Sequence, residues 1–127
     1  MRIYAKAALS ACSLINICSK EPHIAWNEAI AMETTSESSR TKGCPRETFL
    51  GLAYAGYLKN IKPDRRKNMN GKLRSRAINA AEILLSNPEV DKAYLAKILA
   101  YDDKQGAYDL IITLSRQGLL CSPEHKK

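Results

Sequence analysis

The chain has 127 residues, of which 45% are hydrophobic, and its formal net charge is +7 at pH 7. This length suits one domain with a single core, and the hydrophobic fraction excludes wholesale disorder. No stretch reaches the roughly 20 apolar residues that a membrane-spanning helix needs. We therefore predict one soluble domain over residues 1–127, with a flexible C-terminal tail from about residue 122.

The first predicted element is a helix over residues 3–19, in which polar residues recur every three or four positions. These residues are Arg2, Lys6, Ser10, Ser13, Asn16 and Lys20. Such spacing places them on one narrow stripe, which is typical of a mostly buried helix. A cleaved signal peptide is the alternative interpretation, but the apolar region of a signal peptide does not require polar residues at this regular spacing. We expect the helix to belong to the fold.

The second predicted helix covers residues 22–33 and contains the only tryptophan of the chain, Trp26. Pro22 takes the tolerated first helical position. Ile30 follows Trp26 at the i+4 position, so both side chains lie on one face. An exposed Trp would indicate a partner surface, whereas a buried one anchors a core. We predict that Trp26 lies in the core.

The third predicted helix begins at Pro45, within the segment KGCPRETFLGL at residues 42–52. If Pro45 is the first helical residue, Cys44 becomes the N-cap and Glu47 the third helical position. This is the spacing of a capping box, with cysteine in place of serine or threonine. We therefore interpret Cys44 first as a helix cap or a packed thiol.

The alternative interpretation of Cys44 is a reactive thiol. The helix dipole, Lys42 and Arg46 all favour the thiolate at this position, although the carboxylate of Glu47 opposes them. A catalytic cysteine also needs a base, and the only histidines are His23, at a helix start, and His125, in the tail. We therefore predict no catalytic residue.

The whole net charge lies in one stretch, residues 59–76, which we call the basic segment. Its basic residues are Lys59, Lys62, Arg65, Arg66, Lys67, Lys72, Arg74 and Arg76. Asp64 is its single acid, which leaves 12 basic and 12 acidic residues elsewhere. Concentrated positive charge binds nucleic acid through counterion release, and we predict these eight residues as the nucleic-acid-binding site. The alternative is a solvated surface that keeps the protein soluble.

The conformation of the basic segment stays open at this stage. Gly56 looks like the C-terminal glycine of the third helix. A winged-helix hairpin with its turn near residues 70–71 is one interpretation, and a loop or a partly helical segment are the others. No aromatic residue lies within the segment, so stacking of single-stranded bases from within it is not supported.

Three further helices are predicted in the C-terminal part. The fourth covers residues 73–86, and an Asn-Pro-Glu sequence at residues 87–89 ends it and starts the fifth. Asp102 or Asp103 caps the sixth. Strand signals are poor, because apolar and polar residues nowhere alternate over a long run. The predicted fold is all-α, a bundle of about six helices.

Two smaller features accompany the sixth helix. SRQGLL, at residues 115–120, repeats the pattern of AYAGYL, at residues 53–58, and places Gly118 in the position of Gly56. Two independent glycine caps explain this more simply than a duplication.

Asp109 sits among apolar residues, so a buried carboxylate there needs a structural partner such as a helix end or an Arg.

The remaining polar residues offer no cofactor or metal site. The cysteines are Cys12, Cys18, Cys44 and Cys121, with neither a CxxC pair nor a Cys/His cluster. Scattered thiols are typical of a reduced, cytoplasmic protein. Phosphate-binding glycine motifs of the types GxxxxGK[ST] and GxGxxG are absent from the sequence. We predict no cofactor, no metal and no enzymatic activity.

Several segments together resemble a family of small bacterial proteins of unknown function. They are AWNEAI (25–30), KGCPRETFLGL (42–52), Gly56, KNI (59–61) and QGAYDLIITLSRQGLL (105–120). The resemblance extends over most of the chain from about residue 4. The chain departs from it between Met32 and Ser39, where the family tends towards Phe-Pro, and at Leu114 or Ser115, where a Trp is expected. The resemblance implies a bacterial or mobile-element origin and a shared helical fold, but no activity.

The sequence thus favours a non-catalytic protein that binds an anionic partner, nucleic acid first, through the basic segment. A second class of function is a protein-interaction or structural module, which could form a homodimer. A third is a thiol enzyme built on Cys44. We expect no membrane partner.

Overall fold

The computed structural model describes residues 3–64, 66–67 and 71–123. Its helices are α1 (Ile3–Cys18), α2 (Pro22–Glu33), α3 (Glu37–Arg40), α4 (Gly43–Ala55), α5 (Lys72–Ser86), α6 (Lys92–Leu99) and α7 (Ala107–Arg116). Because α3 is a single turn, six longer helices make up the described fold. Within these residues, strand-type pairing is limited to one isolated bridge. The prediction of an all-α fold with about six helices is confirmed.

The core forms where α1 packs on α2 and α7, and where α4 packs on α5 and α7. The buried residues of α1 are mainly small: Tyr4, Ala5, Ala7, Ala8, Ala11 and Cys12. Alanine side chains let neighbouring helices approach closely. The helix is part of the core, as its narrow polar stripe predicts.

Trp26 joins α2 to α4. Its side chain is only 1% exposed, and its ring stacks on Phe49 with 5.3 Å between ring centroids and an interplanar angle of 27°. Ile30 is buried beside it, in agreement with the i+4 spacing. The prediction that Trp26 is a core residue is confirmed.

The predicted start of α4 is wrong by two residues. The helix begins at Gly43, and its N-cap is Lys42, which makes no side-chain cap hydrogen bond. Cys44 therefore occupies the second helical position and Pro45 the third, so no capping box forms. A proline fits anywhere in the first turn, because the amides there have no partner within the helix. The proline therefore did not mark the first helical residue.

The predicted start of α6 is also wrong. The Asn87 side chain accepts a hydrogen bond from the Glu89 amide at 3.2 Å, which forms a local turn instead of a helix cap. The helix begins at Lys92, and Asp91 caps it by accepting a hydrogen bond from the Tyr94 amide at 2.9 Å. The Asn-Pro-Glu sequence thus ends α5 but does not start α6.

The N-cap residue of the last helix is Gly106 and not Asp102 or Asp103, but Asp103 does bind the start of this helix. Its carboxylate accepts hydrogen bonds from the amides of Gln105, at 3.1 Å, and Tyr108, at 2.9 Å. Tyr108 is the second residue of α7, so this bond satisfies one of the amides that a helix start leaves open. Asp102 is exposed beside it.

The repeated glycine pattern brings the two helix ends together. Gly56 and Gly118 both adopt left-handed backbone conformations, with φ of 90° and 72°. The amide after each glycine bonds to the carbonyl five residues earlier, at 2.9 Å in both cases. The two segments then pair through an antiparallel bridge between Leu58 and Leu120, and the Lys59 amide extends it with a bond of 2.7 Å. The start of the basic segment is therefore fixed to the end of α7.

Candidate nucleic-acid interface and the Cys44 cavity

The basic segment is a loop followed by the first turn of α5. Its described part consists of residues 59–64, 66–67 and 71–76, and the last five of these are helical. Arg65 and residues 68–70, where the hairpin turn of a wing would lie, are outside the described residues. No strand pairs with another within the described part of the segment. There, the segment is partly loop and partly helix.

The backbone at the start of this loop is held in place by buried contacts. Ile61 is 2% exposed, and the Asp64 amide donates to the carbonyl of Tyr54 at 2.9 Å. Pro63 packs over Gly56 so closely that a Cβ atom at Gly56 would lie 3.3 Å from the proline Cβ. A fixed backbone lowers the conformational entropy that the loop would lose on binding a partner.

Tyr54 is the point where both halves of the basic segment meet. The Lys67 Nζ atom lies 5.3 Å from the centroid of its ring, and the Arg74 guanidinium carbon lies 5.5 Å from it. The tyrosine hydroxyl donates a hydrogen bond to the Glu21 carboxylate. Burial, followed by this carboxylate, raises the pKa of Tyr54. Its ring is 4% exposed and serves as a platform beneath the two cations.

Arg74 is half-buried and already paired. Its Nε atom donates to Glu47 Oε1 at 2.8 Å, and its side chain is 17% exposed. The backbones of α4 and α5 are close here, because a Cβ atom at Gly51 would lie only 3.1 Å from the Arg74 Cα atom. This residue of the predicted site therefore connects two helices, and Glu47 neutralises its charge.

Five basic side chains of the segment remain exposed, and we call them the exposed cations. They are Lys59, Lys62, Arg66, Lys67 and Lys72. Arg66 binds both carboxylate oxygens of Asp64, at 3.0 and 3.2 Å. These hydrogen bonds hold the pKa of Asp64 below its usual range. The one acid of the segment is thus engaged locally.

One of the exposed cations, Lys72, is the first residue of α5, and within the described residues no side-chain hydrogen bond caps this helix start. The N-cap residue is Gly71, so the positive end of the helix dipole is open there. An open cavity of about 350 Å³ lies at this end. It is lined by Glu47, Gly71, Lys72, Leu73 and Arg74. The helix end therefore adds to the positive potential of the exposed cations.

Arg76 occupies a different environment from the exposed cations. Its guanidinium carbon lies 3.5 Å from the centroid of the Tyr101 ring. Within the described residues, this guanidinium makes no hydrogen bond and no ion pair. A guanidinium over an aromatic ring contributes about 0.5–2 kcal/mol. That is less than a pair of hydrogen bonds to a charged group, at about 1.5–3 kcal/mol each.

Arg76 also lines a small cavity, which we call the Cys44 cavity. Its volume is about 10 Å³, enough for roughly one water molecule. The polar side chains around it are those of Cys44, Thr48, Arg76, Tyr101 and Tyr108. Cys44 is 7% exposed. The hydroxyl of Tyr108 donates to the Tyr101 carbonyl at 2.9 Å, which fixes the position of Tyr101.

The Cys44 cavity does not favour a thiolate. Burial first, and then the negative charge of Asp103, raise the pKa of the Cys44 thiol. The positive charge of Arg76 and hydrogen bonds from Tyr101 and Thr48 act in the opposite direction without reversing the shift. The expectation that a helix start with flanking basic residues favours the thiolate is therefore wrong at this site. Desolvation of the sulfur raises the thiol pKa by more than the favourable charge and hydrogen bonds lower it.

A further open cavity, of about 480 Å³, lies between α6 and α7. Two of its three carboxylates have structural partners. Asp109 pairs with Lys92, with 3.5 Å between Oδ2 and Nζ, and Asp103 accepts the Tyr108 amide at the start of α7. The third, Asp102, is exposed. Asp109 is thus partly exposed instead of buried, and it pairs with a lysine on the neighbouring helix where an arginine or a helix end was expected. Among the described residues, no three His, Cys, Asp or Glu side chains are grouped to hold a metal ion.

Sequence reasoning missed Tyr54, Tyr101 and Tyr108 as members of these two sites. Tyr101 and Tyr108 lie more than 20 residues from Arg76 along the chain. No local pattern signals such a long-range contact between an arginine and an aromatic ring.

These features define a small all-α protein with an exposed basic loop. No helix of the described chain is both long and apolar enough to cross a membrane. A family model described as a family of unknown function (DUF6979) matches residues 1–121. The chain belongs to this family. Comparison with curated proteins and with solved structures found no match.

Proposed function

We propose that this protein is a non-catalytic binding protein whose exposed cations contact the phosphates of a nucleic acid. The observation that carries the proposal is that five basic side chains are exposed, four on a loop with a fixed backbone start and one, Lys72, at the start of α5. A bacterial accessory or mobile-element origin and a cytoplasmic location belong to the same proposal. They are consistent with four scattered free cysteines.

A loop that only keeps the protein soluble would not need this degree of packing. Ile61 is buried within it, and Pro63 packs against the end of α4. These contacts order the lysines before any partner arrives, which reduces the entropic cost of binding. The packing therefore supports a binding surface over a solubilising one.

The surface favours phosphate contacts over contacts to bases. Tyr54 and Tyr57 lie next to the loop but are only 4% and 7% exposed, so neither ring is available to stack on a base. Lysine and arginine contacts to phosphates fix a protein on nucleic acid without reading its sequence. We therefore expect binding that depends little on sequence and strongly on salt.

Fluorescence anisotropy with a random-sequence DNA duplex tests the proposal. If about four phosphates are contacted, the affinity falls about a hundredfold between about 50 and 200 mM salt. The double variant Lys59→Gln/Lys62→Gln should weaken binding and flatten the salt dependence. Lys6→Gln/Lys97→Gln changes the net charge equally at exposed positions on α1 and α6, and it should retain most of the affinity. Absence of binding at low salt, or binding that salt does not affect, would refute the proposal.

A second candidate function is protein association through α6. This helix buries only Leu95, while Tyr94 and Ile98 are 48% and 51% exposed at i,i+4 spacing. Size-exclusion chromatography with light scattering distinguishes the two functions. A dimer that persists at high salt, together with no affinity for DNA, would favour a protein-interaction module.

A further inference from the structure

We propose that Arg76 is a lid over the Cys44 cavity, and that it opens when the exposed cations bind a polyanion. Binding at the basic segment would then expose the Cys44 thiol. This inference rests on the proposed function, and it adds a conformational response to the same surface. The sequence predicts Arg76 as part of the nucleic-acid-binding site, whereas the structure places its guanidinium over the Tyr101 ring.

The first step is the position of Arg76 on α5. Residues four apart lie on the same side of a helix, about 5–6 Å apart at their Cβ atoms. Lys72, one of the exposed cations, stands four residues before Arg76 at the open start of the helix. A phosphate chain that contacts Lys72 is therefore within reach of the long arginine side chain.

The second step is that Arg76 is held weakly in its closed position. Its guanidinium contacts the Tyr101 ring, and within the described chain it makes neither a hydrogen bond nor an ion pair. Phosphate oxygens offer a guanidinium two parallel charge-assisted hydrogen bonds. Arg74 provides the contrast, because the Glu47 carboxylate already binds it at 2.8 Å. Of these two arginines, Arg76 is the one that gains more by moving to a phosphate.

The third step is what remains after Arg76 leaves. Tyr101 keeps its place, because the Tyr108 hydroxyl binds its carbonyl and the two rings meet edge to face at 6.5 Å. Arg76 is the polar side chain that α5 contributes to the cavity lining, so the lining on this side would then lack it. Cys44, 7% exposed in the closed state, would then be open to solvent.

Iodoacetamide labelling with peptide-resolved mass spectrometry tests the lid in the full-length protein, with and without saturating DNA duplex. Cys18 is the exposed reference, and Cys12, 3% exposed, reports any unfolding. Because a minor open state is usually populated at about 10% or less, a shift to the open state should raise the Cys44 rate about tenfold or more. Cys12 should stay protected.

Two variants distinguish the effect of removing the lid from the effect of removing one positive charge. Arg76→Ala should give the high Cys44 rate without DNA, and DNA should add nothing further. Lys97→Ala removes an exposed charge from α6, outside the basic segment, and its Cys44 rate should equal that of the wild type both without and with DNA. If Arg76→Ala also raises the labelling of Cys12, the variant has partly unfolded. The test of the lid then rests on the wild-type Cys44 rate with and without DNA.

Anisotropy on the same samples keeps the two proposals apart. Duplex binding without a rise in the Cys44 rate overturns the lid and leaves the proposed function intact. An unchanged Cys44 rate in Arg76→Ala overturns it as well. If no duplex binds at low salt, the proposed function fails, and the coupling of the lid to DNA fails with it.

Discussion

Cys12 shows how one buried thiol can make stability depend on pH. It lies on the inner face of α1 and is 3% exposed, and burial raises its pKa to about 12. The folded chain therefore keeps this proton at pH values where the unfolded chain, with a pKa of about 8.5, has lost it. As the pH rises above that value, the free energy of unfolding should fall by up to about 1.4 kcal/mol per pH unit.

Urea unfolding at about pH 8, 9 and 10 measures this decline. Cys12→Ala should reduce the slope without abolishing it, because the raised pKa of Cys44 acts in the same direction. Cys18→Ala changes an exposed cysteine of the same helix and should leave the slope as it is. A wild-type stability that stays constant over this range would contradict the burial of Cys12.

The helix starts show which parts of the fold local sequence could and could not predict. Periodic spacing was sufficient for α1 and for the core position of Trp26, because both depend on which face of a helix is apolar. The start of α6 depends on which of two competing side chains caps the backbone, whereas α4 begins at Gly43 without a side-chain cap hydrogen bond. Asn87 and Asp91 are both good caps, and only the packed structure selects between them. The same limit applies to Arg76 and Tyr101, which meet only through the tertiary fold.

The choice between these two caps gives a prediction at the level of one element. Asp91→Ala removes the side chain that accepts the Tyr94 amide, and it should cost about 1 kcal/mol of unfolding free energy. Asn87→Ala removes only a local turn bond to Glu89 and should cost less. Thermal unfolding followed by circular dichroism gives both values. An equal or larger loss for Asn87→Ala would restore the Asn-Pro-Glu sequence as the start of α6.

Over the whole molecule, charge is divided between structure and binding. Outside the basic segment, basic and acidic residues balance at 12 each, so the net charge of +7 is local. Within it, Glu47 engages Arg74, and Tyr101 engages Arg76. The eight predicted binding residues therefore separate into five exposed cations, of which Arg66 pairs with Asp64, two partly buried arginines, Arg74 and Arg76, and Arg65, which lies outside the described residues. In the sequence all eight residues carry the same positive charge, and only the fold shows which of them are exposed and which are partly buried.

Glu47→Gln tests this division, because it removes the carboxylate that pairs with Arg74 of the basic segment and with Arg46 on α4. Losing the ion pair with Arg74, whose side chain is 17% exposed, should lower the unfolding free energy by about 1 kcal/mol. If Arg74 then contacts a phosphate, affinity for duplex DNA should rise at low salt, and the salt slope should steepen by about 0.9. Glu28→Gln makes the same change in net charge at the exposed pair with Lys20, on α2. It should leave the slope nearly unchanged, so equal effects of the two variants would mean that DNA responds to net charge alone and not to the basic segment.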